Sequence, residues 1–290
     1  MLSPNAVGSI DAIEYLSGVS TEVRSEGSGP PLILLHGLQS DLTIWDGVCE
    51  HLRSVERIRL NFPGRGKSAR GSDTWHSLEY FYSIGRFAEL LHSLVQKLDR
   101  RVSIAGWSMG AMVALEYVKR YGTDDIRSLV LCSGLSKVAG VANIFQSMND
   151  EGLLMEISER SEKAGLKGST DPLAVLNCWK SMLHFDCREV LYKIDIPTLI
   201  VHGIEDLDCP FSDAMLVSQR IPCSELVALD GCGHLILSER PGAVGLTSEG
   251  CEAAHRSPPA LAPARVAFVS ACGARLCVVH LLALTHDLHL

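Results

Sequence analysis

Five short, β-rich runs, read as apolar on both faces and set apart by longer stretches, constrain this chain more than any other feature. They are 32–35 (Leu-Ile-Leu-Leu), 57–62, 101–105, 127–132 and 198–201 (Thr-Leu-Ile-Val). A strand with one face in water alternates polar and apolar residues, whereas a run lacking that alternation reads as a parallel-sheet strand covered on both sides. Helical stretches lie between them. In the clearest, 76–98, Ile84, Phe87, Leu91, Leu94, Val95 and Leu98 recur at spacings of three and four and make one apolar stripe. This alternation predicts an α/β fold with a doubly wound, mostly parallel sheet.

The alternation breaks at 135–192, where Asn143–Ala164 and Pro172–Tyr192 read as helical with no strand between them. An inserted helical cap is the economical reading, with the core at 1–134 and 193–246. Residues 247–290 have another character: three acids, three arginines, no lysine, nine alanines and four histidines, with no clean period. Gly242, Gly245 and Gly250 each cost about 1 kcal/mol relative to Ala in a helix. The stretch after Pro241 is therefore expected to break before three helical turns form, leaving an atypical carboxyl tail, disordered or altered. Val266–Leu284 is apolar for nineteen residues but carries Arg275 and His280. A central arginine costs about 2.5–3.5 kcal/mol on insertion scales, so a membrane span is not expected.

Composition excludes other classes. With 290 residues, 47% of them apolar, and a formal net charge of −8, the chain is globular and lacks the concentrated basic surface that nucleic-acid binding needs. The ten cysteines are scattered, without a C-x-x-C pair, and read as buried free thiols and not as metal ligands. Met1–Asp11 has neither a basic region nor an apolar stretch of signal length, which makes a cytoplasmic location the expectation. Gly66-Lys67-Ser68 ends like a phosphate-binding loop, but Asn61 stands where its first glycine belongs. Gly64-x-Gly66-x-x-Ala69 mimics a dinucleotide fingerprint, but Arg70-Gly71-Ser72-Asp73 follows where a helix should begin. No cofactor is expected.

The strongest chemical signal is Gly106-Trp107-Ser108-Met109-Gly110, a G-x-S-x-G between an apolar strand and a helical stretch. A sharp strand-to-helix turn there lifts the serine hydroxyl above the sheet, at a helix amino terminus that favours developing negative charge. A serine nucleophile needs an imidazole to take its proton and an acid to orient the imidazole. Downstream, in that order, lie Glu205, Asp206 and Asp208 after the strand 198–201, then His234 after the strand 225–229. Asp206 is favoured as the acid, with Asp208 next. Gly37 permits a turn in which the amide of Leu38, paired with that of Met109, faces the serine as an oxyanion donor. His36 reads as structural.

From about Pro30 to Pro241 these motifs together resemble the α/β-hydrolase family. His36-Gly37 is similar to its oxyanion turn, and Asn61-x-Pro63-Gly64-x-Gly66-x-Ser68 to its D-x-P-G-x-G-x-S loop with Asp changed to Asn. Gly106–Gly110 is similar to its nucleophile elbow, Gly203-x-x-Asp206-x-x-x-Pro210 to its acid loop, and Gly233-His234 with Glu239-Arg240-Pro241 to its histidine loop. The acid-loop match supports Asp206. Trp107 and the cap resemble carboxylesterases of the pimeloyl-acyl carrier protein methyl ester esterase type, and Trp107 joins Leu38 and Met109 in the candidate oxyanion and substrate-binding set.

The resemblance implies a serine esterase acting on a small-molecule ester, with Ser108, His234 and Asp206 as the triad. The same triad serves thioester cleavage or acyl transfer, and a non-catalytic ligand-binding relative or inactive isoform is the reading from another class. An acyl carrier protein is a weakly supported partner, because the cap carries eight acidic and six basic residues where an acidic carrier favours a basic face.

Overall fold

The computed structural model describes residues 9–71, 77–163, 170–254 and 265–269. Among them, nine strands make one sheet: β1 (Ile10–Leu16), β2 (Val19–Glu26), β3 (Pro31–Leu35), β4 (Glu56–Leu60), β5 (Val102–Trp107), β6 (Ile126–Cys132), β7 (Thr198–Gly203), β8 (Ser224–Leu229) and β9 (Arg265–Val269). Their spatial order is β1-β2-β4-β3-β5-β6-β7-β8-β9. The pairs β1–β2 and β2–β4 are antiparallel, and every other neighbour pair is parallel. The helices are α1 (Asp46–Cys49), α2 (Leu78–Phe81), α3 (Ile84–Leu98), α4 (Met109–Tyr121), α5 (Asp150–Lys163), α6 (Pro172–Met182), α7 (Phe211–Arg220), α8 (Ile236–Glu239) and α9 (Pro241–Ala254).

Successive side chains of the parallel strands enter two separate cores, as the period of two requires. Ile33, Leu35, Val102, Ile104, Leu129 and Leu131 pack with α3, α4 and α6 on one face. Leu32, Leu34, Ala105, Val130, Leu199 and Val201 pack with α1, α8 and α9 on the other. Two serines buried in β5 and β6 answer each other, Ser128 and Ser103 lying 2.9 Å apart between their hydroxyls. Burial on both faces explains why a run such as 32–35 shows no alternation of polar and apolar residues.

The sequence reading missed β1 and β2. Their register sets Ile10, Ile13 and Tyr15 of β1 in solvent on the edge of the sheet, while β2 beside it buries Val19, Thr21 and Val23 in a run that is otherwise polar. The helix expected over 76–98 is two helices, because the Ser83 side chain accepts from the Arg86 amide and starts α3 afresh. Residues 135–192 hold α5 and α6, and both are shorter than the expected helical stretches.

The carboxyl end corrects the sequence expectation. Pro241–Ala254 forms a helix of 14 residues despite its glycines. A Cβ at Gly245 would lie 2.6 Å from the Cβ of His51 and 3.1 Å from the Val48 carbonyl oxygen, and one at Gly242 would rest 3.4 Å from the His51 ring. Those glycines are where α9 meets the end of α1, so close packing offsets their low helix propensity. Beyond it, Arg265–Val269 adds β9 parallel to β8, with Ala267 buried, a five-residue strand too short to show a period in a longer window. The remaining tail, with most of Val266–Leu284, lies outside the described residues.

Val at position 245 must displace His51 or separate α9 from α1. Gly245→Val is expected to cost about 1–3 kcal/mol, the usual range for overpacking, read as a lower urea midpoint at unchanged slope. A midpoint equal to wild type would show that the α1–α9 contact carries no stability.

Candidate active site

The carboxyl ends of β3, β5, β7 and β8 converge on one place, because parallel strands all present the same end to the same crevice. At the end of β5 the chain reverses into α4 at Ser108, which has φ 55° and ψ −118°. Few side-chain-bearing residues adopt a positive φ. The turn is held by contacts that only glycine permits. A Cβ on Gly106 would lie 2.3 Å from the Gly110 carbonyl group, and one on Gly110 would lie 2.3 Å from the Leu35 carbonyl oxygen. The Ser108 amide donates to the Cys132 carbonyl at 2.8 Å and ties the turn to β6.

The hydroxyl raised by this turn meets His234. Ser108 Oγ lies 3.0 Å from His234 Nε2, and His234 Nδ1 lies 2.8 Å from Asp206 Oδ2. The Asp206 side chain is fully buried and that of His234 is 13% exposed. The other carboxylate oxygen, Oδ1, accepts from the amides of Asp208 and Cys209 at 3.0 and 2.8 Å. Burial opposes the charge on Asp206. Hydrogen bonds from His202 and His234, the charge of His234 and the Cys209 amide outweigh it and hold the carboxyl well below the ordinary range.

Asp208 is not at the imidazole. Its carboxylate pairs with Arg160 of α5, and its carbonyl accepts from the Asn143 amide. Glu205 donates its amide to the Cys232 carbonyl, which fastens the acid loop to the histidine loop. Trp107 is buried beside His234, its ring centroid 5.3 Å from the imidazole and its indole N–H donating to the His234 carbonyl at 3.0 Å.

The turn after β3 lies against the elbow. A Cβ on Gly37 would lie 2.6 Å from the Trp107 ring and 3.4 Å from the Ser108 Cβ, which brings Leu38 to the serine's side. Behind that turn, His36 accepts the Phe62 amide at Nε2 (3.1 Å) and so donates from Nδ1 to the Gly37 carbonyl (2.8 Å). Burial, with the charge of Arg65 adding, pushes its pKa down to about 3, so it is uncharged at neutral pH. Arg65 is itself fully buried and donates to the carbonyls of Leu38 at 2.7 Å and Pro63 at 2.8 Å. At Asn61, the side-chain oxygen accepts the Leu42 amide and the amide nitrogen donates to Glu22. An aspartate there could not make the second bond and would face a carboxylate instead.

Sequence reasoning missed three residues here. Gln39, next to Leu38, donates to the Ile157 carbonyl and Ser161 hydroxyl of α5 at 2.9 Å each, and Arg160 holds Asp208 from the same helix. Both are single exposed-type polar residues, and nothing local marks them. His202 was legible as a polar residue closing an otherwise apolar strand run. Cys49, Cys132, Cys178, Cys187, Cys209 and Cys232 are free and buried, and Cys223 is free and partly exposed. Among the described residues, the single group able to gather three metal-binding side chains is Asp206, Cys209 and His234, in which Asp206 and His234 already bond each other.

Residues 32–245 match the description "Alpha/beta hydrolase family". The chain belongs to this family. It is 25% identical over 246 residues to a pimeloyl-[acyl-carrier protein] methyl ester esterase of Nitrosomonas europaea, covering 74% of this chain and 92% of that one. It is 28% identical over 253 residues to a non-heme chloroperoxidase of Kitasatospora aureofaciens, covering 75% and 89%. An esterase from Exiguobacterium antarcticum superposes with a TM-score of 0.68 at 22% identity, over 83% of this chain and 98% of that one.

The depressed Asp206 pKa makes stability depend on pH. A carboxyl whose native value lies below its unfolded value of about 3.9 contributes stability that is complete above that value and is lost as pH falls through the native one. The stability gap between wild type and Asp206→Asn should therefore narrow as denaturation is moved from about pH 7 to about pH 3. A gap that stays constant would show that the ionised carboxylate contributes nothing.

Proposed function

We propose that this protein is a serine hydrolase that cleaves carboxylic esters through an acyl-enzyme on Ser108. The observation that carries this reading is the unbroken line Ser108 Oγ, His234 Nε2, His234 Nδ1, Asp206 Oδ2, with steps of 3.0 and 2.8 Å at a strand-to-helix elbow. In this reading Ser108 Oγ attacks the ester carbonyl carbon while His234 Nε2 takes its proton. The tetrahedral oxyanion is met by the amides of Leu38 and Met109, and collapses as His234 returns the proton to the departing alcohol. Water, deprotonated by the same imidazole, then attacks the acyl carbonyl and frees Ser108. Asp206 keeps Nδ1 protonated and stabilises the transient imidazolium, and Trp107 holds the His234 backbone in place.

Residues 135–192 act in this reading as a cap over the site. Ile144, Phe145 and Leu153 are buried there and Val141 and Leu154 pack beside them, which supports an ester with an apolar acyl or alcohol group. Met155 is 61% exposed and lies outside that surface. A small ester fits better than an acyl carrier protein, although relatives carry that carrier in their names, because the acidic excess of the cap repels an acidic partner. Free, buried thiols suit a reducing compartment. No helix among the described residues is long and apolar enough to cross a membrane. We assign the activity to the cytoplasm on those grounds.

A fluorophosphonate probe and a series of nitrophenyl esters of increasing acyl length test the reading. Ser108→Ala is expected to abolish labelling and lower kcat by about 10⁴–10⁶-fold, and Asp206→Asn to lower it by about 10⁴-fold. Asp208→Asn, which breaks only a partly exposed ion pair, should lose less than about tenfold. Wild-type protein that is folded yet unlabelled would overturn the proposal, and hydrolysis that gives way to transfer when alcohol is added would redefine it as an acyltransferase.

A further inference from the structure

Resting on the triad reading above, we propose that His202 is a positioning residue that locks the acid loop from beneath and shares Asp206 Oδ2 with His234. His202 ends the apolar run of β7 and is fully buried. Its Nε2 lies 2.8 Å from the Cys209 carbonyl oxygen and 3.3 Å from Asp206 Oδ2. Both neighbours are acceptors, so the ring hydrogen sits on Nε2, directed between them. On the opposite side Nδ1 has no hydrogen-bond partner among the described residues. The ring lines a small apolar cavity with Leu115, Leu131, Ile200 and Val217. With two acceptors at Nε2 and no hydrogen-bond partner at Nδ1, the surroundings favour the Nε2–H tautomer.

Two consequences follow from that geometry. The bond to the Cys209 carbonyl closes the turn whose amides, from Asp208 and Cys209, hold Asp206 Oδ1. The same N–H faces Oδ2, so the carboxylate oxygen that orients His234 also meets a second imidazole. A donor directed at Oδ2 draws off part of the charge that would otherwise stabilise the His234 imidazolium. Removing that donor should leave His234 easier to protonate, and the acid limb of kcat/KM should then move to higher pH.

The other titratable groups facing this centre come from several elements. Cys209 lies in the acid loop, where burial, then Asp206, raise its thiol well above the ordinary range. Asp213 of α7 faces His202, but its carboxylate accepts from the amide and hydroxyl of Ser136, and burial raises its pKa. Asp208 is paired with Arg160 of α5, and Glu239 of α8 accepts the Gly233 amide. None of these donates to Asp206 Oδ2, so a moved acid limb on changing His202 reports the Nε2 hydrogen.

The test compares the pH profile of kcat/KM for a nitrophenyl ester among wild type, His202→Phe, His202→Asn, His202→Gln and Ser108→Ala. Phe removes the donor at similar volume, and Asn, which serves if Phe does not fold, stops short of Oδ2. Gln places an amide N–H near the position of Nε2. The acid limb should rise by about half a unit to one unit in His202→Phe or His202→Asn, the value of one hydrogen bond, and return toward wild type in His202→Gln. An unmoved limb in the donor-free variants, or an equal rise in His202→Gln, would overturn the proposal while leaving the triad standing. Activity retained in Ser108→Ala would instead show that the triad reading itself fails, and this inference with it.

Discussion

The site depends on one strained residue. Ser108 holds a backbone conformation that costs on the order of 1–3 kcal/mol for a residue with a side chain, and it does so at the centre of the sheet, between β5 and α4. Three contacts over-determine it. Gly106 and Gly110 close the turn with no space for a Cβ, the Ser108 amide is bonded to β6, and its carbonyl receives the amides of Ala111 and Met112. Because α4 is nearly all buried, the sheet cannot relax the turn without unpacking the helix. The strain is thereby converted into position: the hydroxyl stands above the strand ends and cannot swing back into the sheet.

Around that hydroxyl the fold solves a second problem, the burial of charge. An ionised carboxylate in an apolar interior is unstable unless its lone pairs are met. At Asp206 they are, two by amides of its own loop and two by imidazole nitrogens. Arg65 shows the converse solution. It is a buried cation with carbonyl oxygens as its hydrogen-bond partners and the Phe87 ring 5.6 Å from its guanidinium carbon. Its interactions hold the Leu38 carbonyl, while His36 spans from the Gly37 carbonyl to the Phe62 amide. Both halves of the candidate site are therefore braced by buried polar groups, which are worth more there than in water because the alternative is an unmet bond.

What could be read from the sequence follows from how locally each feature is encoded. The parallel strands declared themselves by burial on both faces, and Ser108, Asp206 and His234 by their places at strand ends. The same reading favoured Asp206 over Asp208 from its place after Gly203 and from the acid-loop match, but could not see that Arg160 pairs with Asp208 from a helix 48 residues upstream. Helix α9 was misjudged for a related reason. Propensity counts Gly242 and Gly245 against a helix, yet both sit where His51 approaches the backbone, a contact that no local window contains. The edge strand β1 was missed because Ile13 and Tyr15 face solvent, where the usual alternation loses its meaning, and β2 because its two buried valines, Val19 and Val23, stand among polar residues.

The two helices between β6 and β7 are fixed with unequal strength. Helix α6 buries seven residues from Ala174 to Met182, and its Asp171 amide bonds the Gly64 carbonyl of the loop beneath. Helix α5 buries only Leu153 and Ile157. Leu154 packs beside them, half-buried, and polar contacts add to the hold: Gln39 grips the last turns from the Leu38 side and Arg160 reaches to Asp208 from the acid side. Partly exposed contacts of that kind are worth about 1 kcal/mol or less each, against about 1.5–3 kcal/mol for each large apolar side chain fully buried. Helix α5, which meets the Leu38 turn and the Asp206 loop, is thus held less firmly than α6 and than the elbow at Ser108. In the proposed reading, a single framework thereby combines a rigidly held Ser108–His234–Asp206 line, where a fraction of an ångström matters, with a neighbouring helix that less apolar burial holds in place.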